Sequence, residues 1–431
     1  MNIAVFGLGY VGVVNMACLS KLGHTILGCD IKPHKISFIE KGESPILEPE
    51  VDKLISTGVR NKQIYASTNG GEVVKESEMA LVCVGTPSDA DGTVNLSYCI
   101  NTVIEIAENI KKHQKDKYTI VFRSTIPPGT IEEKLIPEIE LILGPSYHEM
   151  VDVYFVPEFL REANAVYDFF NCSRMVIGCK NEDGEHQAIQ QVFGFSDNIP
   201  LLFVSYRTAE FIKYVDNAYH ATKVAFANEV YSIGTEYGVD IEKANEIFLM
   251  DNFLNISKRY LKPGLPFGGS CLPKDIRAII NLGNEKEVGI PFFKNVLSSN
   301  HEHQQRLLKR VLSYNLDKIL IYGLTFKNNT DDVRESPILI LARELIEKGK
   351  KIKIYDPHLN IENLRIEVPE IVRYIHSDIT SVINWSDLIV LNKPDLEQVL
   401  NNCSAQHQIL NLFNNTIPEG KEKQVAHLYQ K

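Results

Sequence analysis

Residues 2–12 have the sequence NIAVFGLGYVG, in which a short apolar strand runs directly into a glycine turn. Gly7, Gly9 and Gly12 have the GxGxxG spacing, and the helical pattern VVNMACLSKLG follows them. This order of strand, turn and helix is typical of the dinucleotide fingerprint, in which glycines let a pyrophosphate approach an exposed helix N-terminus. The alternative is a glycine-rich turn without a ligand.

An acid follows the second predicted strand, HTILGCDI, at Asp30. A carboxylate at this place accepts hydrogen bonds from the adenosine ribose and repels a 2′-phosphate, so it favours NAD over NADP. Lys35 lies just beyond, where either a cofactor contact or a solvated helix lysine fits the sequence.

Composition narrows the class of protein. The chain has 431 residues and a formal charge of -10, which argues against a broad basic surface for nucleic acid. No apolar run reaches the roughly 18 residues that a bilayer span needs, so we expect a cytoplasmic protein without a membrane partner. The eight cysteines contain no CxxC pair, which predicts reduced core thiols and no metal site.

The arrangement of apolar runs predicts the fold class. Strand-like runs alternate with helical patterns up to about residue 200 and again after about 316, as in parallel α/β sheets. Between them lies a long stretch with helical character that starts near residue 206. We therefore predict two Rossmann-like, doubly wound α/β domains joined by a long central helix and a helical connector. The predicted segments are 1–202 with the dinucleotide fingerprint, 203–300 with the central helix and 301–431 with the second α/β domain.

One cysteine differs from the others in its surroundings. Cys271 lies in PGLPFGGSCLPKD, where glycines and prolines define a loop and Lys274 and Asp275 follow the thiol. A reactive thiol needs an accessible backbone and a cation nearby. From this pattern alone, a nucleophile and an ordinary loop thiol are equally good interpretations.

The central helix has two faces. Lys213, Asn217, His220 and Asn228 fall on one side at 100° per residue, and these groups suit ordered hydrogen bonds to a sugar or an oxyanion. The opposite side carries an apolar stripe formed by Ile212, Val215, Tyr219, Phe226 and Val230. A merely solvated polar face is the alternative.

Further candidate loops follow predicted strands, where an open sheet binds its ligands. They contain Thr86, Thr125, Glu158 and Glu162, whose alternative role is to cap turns. Near the C-terminus, Lys327 and Arg334 lie between a strand and the helix start Ser336-Pro337. Basic residues beside a helix N-terminus predict an anion site, and without a second GxGxxG a nucleotide diphosphate fits better than a dinucleotide.

Taken in order, seven segments resemble the nucleotide-sugar 6-dehydrogenase family along nearly the whole chain. They are FGLGYVG, CVGTPS, RSTIPPGT, PEFLRE, AEFIKYVDNAYHATKVAFANE, FGGSCLPKD and GLTFKNNTDDVRESP. The resemblance implies a four-electron oxidation of a sugar C6 alcohol to the carboxylate with two NAD. It also implies that 1–202 binds NAD, that 203–300 pairs two subunits through the central helix and that 301–431 binds the nucleotide sugar. The expected assembly is a homodimer, and the resemblance leaves a higher homo-oligomer open.

The resemblance assigns roles to individual residues. Cys271 would be the nucleophile, Lys213 and Asn217 the oxyanion donors, Asp275 or Glu158 the base for water, and Thr125 an orienting hydroxyl. The implied cofactor contacts are Gly7, Gly9, Tyr10, Val11, Gly12, Asp30, Lys35, Thr86, Thr125, Lys274 and Arg334. The implied substrate contacts are Glu162, Lys213, Asn217, His220, Asn228, Tyr260, Lys262, Gly268 and Lys327.

Within the family, His220 and the run HATKVAFANE favour GDP-mannose over UDP-glucose or UDP-N-acetylmannosamine as the substrate. Lys262 departs from the arginine expected in enzymes for GDP-mannose, since lysine lacks the bidentate guanidinium fork. Two other classes remain as alternatives: a one-step hydroxyacid or 6-phosphogluconate type dehydrogenase, and an inactive sugar-nucleotide sensor.

Overall fold

The chain was analysed as a computed structural model. It describes residues 1–236, 238–252, 264–285, 287, 291–325, 327, 330–413, 417, 420–421 and 424–428, with the side chains of 229–234 and 236 excluded. The described residues form two compact units, Met1–Asp216 and Asn217–Lys431. The three segments expected from the sequence remain a prediction.

The first unit is built on one sheet. Its strands are β1 Asn2–Phe6, β2 Thr25–Cys29, β3 Ile64–Ser67, β4 Met79–Val82, β5 Tyr118–Phe122, β6 Val151–Phe155, β7 Met175–Cys179 and β8 Leu201–Ser205. Their spatial order is β3-β2-β1-β4-β5-β6-β7-β8. The order of the first six is that of a Rossmann fold, which confirms the predicted class. These six strands are parallel, whereas β7 pairs antiparallel with β6 and parallel with β8.

Helices cover both faces of this sheet. They are α1 Tyr10–Lys21, α2 Pro33–Glu40, α3 Val51–Arg60, α4 Gly70–Glu76, α5 Ser97–Lys112, α6 Ile136–Leu143, α7 Tyr147–Met150, α8 Ala165–Phe170 and α9 Gln187–Phe193, with a π-helical turn, Ile131–Leu135, before α6. Alternate residues of β1 belong to two separate cores: Ile3 and Val5 to one, Ala4 and Phe6 to the other. Because side chains alternate along a strand, two covered faces require an apolar residue at nearly every position.

A single helix of 31 residues, α10 Tyr206–Glu236, follows β8 and confirms the predicted central helix. Its predicted polar residues Lys213, Asn217 and Asn228 are at most 8% exposed. The apolar stripe is exposed instead, with Val215, Tyr219 and Phe226 between 37% and 48% exposed, as is the neighbouring residue Phe211. The helix therefore buries its polar residues together with small apolar ones such as Ala218 and Ala221.

Two members of the predicted stripe differ from this pattern. Ile212 packs against the core of the first unit, so its assignment to the stripe was wrong, because β-sheet residues cover that side of the first helical turns. The side chain of Val230 lies outside the described residues.

The second unit contains a helical part and a second sheet. After α10 come α11 Ile241–Met250, α12 Leu272–Glu285 and α13 Pro291–Leu312. The strands are β9 Lys318–Tyr322, β10 Lys351–Tyr355, β11 Leu388–Leu391, β12 Gln408–Asn411 and β13 Val425–His427. They are all parallel, in the order β10-β9-β11-β12-β13. The remaining helices are α14 Pro337–Glu347, α15 Ile361–Glu367, α16 Pro369–Val372, α17 Ile379–Trp385 and α18 Leu396–Asn402.

This second parallel sheet confirms the predicted α/β repeat. No helix in the described part of the chain is both long and apolar enough to span a bilayer.

Candidate active site

The glycine turn after β1 has the geometry of a pyrophosphate site. Gly7 has φ +91°, and a Cβ there would lie 2.9 Å from the backbone of Cys83. A Cβ on Gly12 would lie 1.9 Å from the carbonyl oxygen of Gly7, whereas one on Gly9 would meet nothing within 4 Å. Among the described side chains none caps the N-terminus of α1, so its first N–H groups point into the space left by Gly9. These residues fit the diphosphate of a dinucleotide.

Tyr10, the first residue of α1, binds a buried acid. Its hydroxyl donates to the buried carboxylate of Glu48 at 2.5 Å, and burial together with that acid raises the pKa of Tyr10. Glu48 also accepts from the backbone of Ala163 and Ala165 at 2.7 and 2.8 Å. The acid thereby ties α1 to the loop that contains Glu162. Glu48 was not among the predicted site residues, and the only sequence signal was an acid in GESPILEPE.

Asp30 follows β2 and is held firmly. Its carboxylate accepts from the N–H of Leu8 at 2.8 Å and of Lys32 at 3.0 Å. Lys35 forms an ion pair with it at 3.0 Å, so this lysine is not a solvated one. Burial raises the pKa of Asp30, but the hydrogen bonds from Lys35 and the backbone outweigh burial and hold that pKa below its ordinary value. The acid is therefore ionised and oriented towards the glycine turn.

Two predicted loops meet beyond β4 and β5. The hydroxyl of Thr86 donates to the carbonyl oxygen of Thr125 at 2.9 Å, and Ser124 donates to Val84 at 2.6 Å. These bonds fix both loops at the carboxyl edge of the sheet, where open α/β folds bind ligands.

Glu158 and Lys213 form a buried pair in the first unit. Lys213 Nζ lies 2.9 Å from a carboxylate oxygen of Glu158 and donates to its carbonyl oxygen at 2.6 Å. The other carboxylate oxygen accepts from the N–H of Leu160 at 2.7 Å. Burial raises the pKa of Glu158, and Lys213 outweighs burial, so the net pKa is lowered. Glu158 caps a turn, which was its predicted alternative role, and it also holds the amine of Lys213. Its role as the base for water stays a prediction.

Asn217 and Asp275 form the corresponding pair in the second unit. Asn217 Nδ2 donates to one carboxylate oxygen of Asp275, and Lys274 Nζ lies 3.2 Å from the other. Asp275 is 1% exposed. Lys274 was predicted as a cofactor contact, and in the structure it neutralises this acid.

Cys271 immediately precedes α12. It is exposed, whereas the other seven cysteines, all in the described part of the chain, are buried or partly buried. Burial raises the pKa of Cys18, Cys29 and Cys83 to about 12, which agrees with core thiols. The start of a helix favours negative charge on a neighbouring group. Cys271 is thus the accessible thiol of the chain, in a setting that suits a thiolate.

The loop before Cys271 is fixed by side chains. Asn228 accepts from the N–H of Gly264 at 3.0 Å and donates to the carbonyl of Leu265 at 3.2 Å. Gly268 has no room for a Cβ, which would lie 2.3 Å from the carbonyl oxygen of Glu335. Both were predicted to bind substrate, and the structure shows them shaping the loop.

The remaining predicted residues that the structure describes are partly buried or exposed. Glu162 is partly buried in the first unit; in the second, His220 and Lys327 are partly buried. Arg334 is half exposed and forms a bidentate pair with Asp332 at 2.7 and 3.0 Å. Tyr260 and Lys262 lie outside the described residues. No cluster of metal-ligating side chains occurs among the residues that the structure describes.

Comparison with known proteins identifies the family. Residues 1–195 match the NAD binding domain of the UDP-glucose/GDP-mannose dehydrogenase family, 207–302 its central domain and 320–405 its UDP binding domain. The chain belongs to this family. It is an NAD-dependent nucleotide-sugar dehydrogenase.

Two relatives and one solved structure are similar over nearly their whole length. GDP-mannose 6-dehydrogenase of Pseudomonas savastanoi pv. phaseolicola is 36% identical over 403 residues, 92% of this chain and 91% of that protein. UDP-glucose 6-dehydrogenase of Bacillus subtilis is 33% identical over 402 residues, 91% and 87% of the two chains. The structure of a UDP-glucose dehydrogenase from Pyrobaculum islandicum has a TM-score of 0.87 at 28% identity, covering 98% and 96%.

Proposed function

We propose that the protein oxidises the C6 alcohol of GDP-mannose to the carboxylate, removing four electrons. The observation that carries this proposal is the exposed thiol of Cys271, which immediately precedes α12. Asp275, four residues later, is buried and accepts a hydrogen bond from Asn217. GDP-mannose is preferred because the relative named for that substrate is 36% identical and the one named for UDP-glucose 33%.

NAD supplies the hydride acceptor for both oxidation steps. The residues that would hold it are the glycine turn with α1, Asp30, and the loop ends at Thr86 and Thr125. The hydrogen bonds of Asp30 orient the acid towards the turn, and Gly9 leaves space beside the N-terminus of α1. Lys35 forms an ion pair with Asp30 and would hold this carboxylate in place beside the cofactor.

The first oxidation needs donors for the oxygen on C6. Lys213 and Asn217 are one turn apart on α10 and project from the same side of the helix. Asn217 uses one amide N–H on Asp275, and Lys213 is oriented by Glu158. Preorganised donors of this kind contribute about 3 kcal/mol each to the stabilisation of an oxyanion.

The second oxidation starts from the aldehyde. The sulfur of Cys271 forms a bond to C6, and the carbonyl oxygen takes a proton to give a thiohemiacetal. Loss of the C6 hydride and of the hydroxyl proton leaves a thioester. Water then adds to C6, the C–S bond breaks, and the thiolate leaves the carboxylic acid product. Each electron pair removed from carbon therefore ends on one hydride acceptor.

Hydrolysis needs a carboxylate that removes a proton from water. Glu158 and Asp275 are the two buried acids available, and Thr125 is the candidate to orient the water. Each acid already has a cation beside it, Lys213 and Lys274 respectively. Glu162, His220, Tyr260, Lys262 and Lys327 are proposed to hold the sugar nucleotide.

A substrate panel tests the choice of sugar nucleotide. We expect kcat/KM for GDP-mannose to exceed the values for UDP-glucose and UDP-N-acetylmannosamine by at least about tenfold, since a mismatched polar group in a built pocket costs more than 1.4 kcal/mol. A higher value for UDP-glucose would overturn the choice of substrate and leave the family unchanged.

The exposed side of α10 supports a homodimer. Phe211, Val215, Tyr219 and Phe226 form an apolar row that a second copy of the helix would cover, and isologous pairing is the usual geometry. Phe226→Glu should give a monomer in sedimentation, whereas Leu141→Glu, at an 80% exposed site on α6, should not. A dimer in both variants would contradict this interface.

A further inference from the structure

The loop Gly264–Ser270 leads into Cys271 without belonging to a strand or a helix. Its backbone hydrogen bonds are made largely by side chains from two helices. Asn300 on α13 binds the loop at Phe267 in both directions: the N–H of Phe267 donates to Oδ1 at 2.8 Å, and Nδ2 donates to the carbonyl oxygen of Phe267 at 2.8 Å. The amide thus replaces a strand neighbour.

The upstream end of the loop is held in a similar way. Asn228 on α10 binds Gly264 and Leu265 reciprocally. His303, one turn after Asn300, donates from Nε2 to the carbonyl oxygen of Gly264 at 2.7 Å. Burial lowers the pKa of His303 to about 4, so its ring is neutral and this proton stays on Nε2 at neutral pH. This hydrogen bond from His303 to the upstream end of the loop is therefore present at neutral pH.

Of Asn228, His303 and Asn300, Asn300 binds the loop nearest to Cys271 along the chain. Closer still, the N–H of Gly269 donates to the carbonyl oxygen of Glu335 at 3.4 Å. Phe267 lies four residues before Cys271, and Phe267 itself is buried against Ala221, Ala225 and Ile276. A loop without its own backbone ladder takes its shape from such partners, because a buried backbone group left unpaired costs free energy. A displacement of about 1 Å at a reacting atom can cost about a hundredfold in rate.

We propose that Asn300 is a positioning residue that sets where the Cys271 sulfur meets the aldehyde. This inference rests on the proposed covalent chemistry of Cys271. The first oxidation needs no thiol, so Asn300 controls the second oxidation selectively. Its loss should let the aldehyde escape before capture.

Asn300→Ala tests this, with Asn295→Ala, at an exposed site on the same helix, as the matched control. Initial NADH formation, uronate formation and aldehyde trapped by hydroxylamine are measured with GDP-mannose. We expect Asn300→Ala to slow uronate formation about tenfold or more while the first NADH forms within about threefold of the unmodified rate. Trapped aldehyde should appear in this variant and not in the control.

Asn300→Asp gives a graded check, because it keeps an acceptor for the N–H of Phe267 and loses the donor to the carbonyl. It should lie between Asn300→Ala and the unmodified enzyme. Equal slowing of both half-reactions, or a raised KM for the sugar nucleotide with unchanged kcat, would overturn the positioning role. If the unmodified enzyme itself forms only one NADH per sugar, the proposed function fails instead, so the two failures are distinguishable.

Discussion

The chain makes the same turn twice, after β1 and after β9. Gly7 has φ +91° and Gly323 has φ +96°. The N–H of Gly7 donates to the carbonyl of Cys29 at 2.8 Å, and that of Gly323 donates to the carbonyl of Tyr355 at 2.8 Å. In each sheet the turn therefore joins the end of one strand to the end of its neighbour.

The acids that follow are also alike. Asp30 accepts from the N–H of Leu8 at 2.8 Å, and Asp356 accepts from the N–H of Leu324 at 2.8 Å. Each acid has a lysine on the same carboxylate oxygen. The two turns thus have the same pattern of hydrogen bonds.

The difference lies in what covers the acid. Lys35 is 21% exposed beside Asp30, whereas Lys393 is 1% exposed beside Asp356. Thr325, at the place that Gly9 has in the first turn, donates its hydroxyl to Asp356 at 3.2 Å and accepts from Lys393 at 2.6 Å. In the first turn, Gly9 leaves space beside Asp30 for a dinucleotide. In the second turn, Thr325 and Lys393 bind Asp356 instead.

The largest expected effect is a loss of folding stability when the ion pair of Lys393 and Asp356, at the turn after β9, is broken. Lys393→Met leaves the Asp356 carboxylate buried without its cation, and such a loss costs about 3–5 kcal/mol. Lys35→Met should cost about 1 kcal/mol or less, because that pair is partly exposed. Urea denaturation of both variants measures the two free energies of unfolding. Equal losses of unfolding free energy would contradict the claim that the Lys393–Asp356 pair contributes more to stability than the Lys35–Asp30 pair.

The next largest effects are expected when the glycine of either turn is replaced by alanine. Gly7→Ala combines a left-handed backbone with a contact to the backbone of Cys83, so we expect a loss of about 3 kcal/mol and no measurable NAD binding. Gly323→Ala meets the side chain of Lys393 and should lower stability while leaving the Kd for NAD unchanged. Calorimetric titration with NAD distinguishes them, and weakened NAD binding in Gly323→Ala would contradict the division of roles.

A smaller effect is expected for the open acid. Asp30→Ala should weaken NAD binding by about 1.5–3 kcal/mol and narrow the preference for NAD over NADP. Asp356→Asn should leave that preference unchanged. The comparison requires kcat/KM with both cofactors, and equal use of NAD and NADP by the unmodified enzyme would refute the role of Asp30.

The smallest effect concerns pH. Because the pKa of Asp30 is lowered in the folded chain, its contribution to stability is present above the ordinary value of 3.8 and is lost as pH falls through the lower folded value. The difference in unfolding free energy between the unmodified protein and Asp30→Asn should therefore shrink on acidification from about pH 6 to pH 3. A constant difference would mean that Asp30 is not stabilised as a carboxylate.

Much of this fold was predictable because its signals are local. The glycine turn, the acid after β2 and the apolar runs of the inner strands are short patterns whose physical causes act within a few residues. The strands β3 and β8 carry a weaker signal, because both are only partly buried and β3 has the short sequence IYAS. The reversed direction of β7 was missed, because α8 has six residues and is too short to signal how the chain recrosses the sheet.

The contacts in the site that the sequence did not predict join residues that are far apart in the chain. Glu48 meets Ala165 across 117 positions, and Asn300 meets Phe267 across 33. The periodicity of α10 separated its polar residues from its exposed apolar residues except at Ile212, but other elements decide which face is buried. The polar side chains Lys213 and Asn217 face inward because Glu158 and Asp275 neutralise or accept their donors.

The covalent role of Cys271 is tested most directly by counting NADH per GDP-mannose consumed in the unmodified enzyme and in Cys271→Ala. We expect two NADH and the uronate from the unmodified enzyme, and from Cys271→Ala a slow formation of one NADH with the aldehyde as product. Cys271→Ser should also fail to release the acid at a useful rate, because the un-ionised serine hydroxyl is a poorer nucleophile than a thiolate and an alkoxide is a poorer leaving group. Two NADH and full uronate formation by Cys271→Ala would contradict the covalent route and leave Cys271 as an ordinary loop thiol.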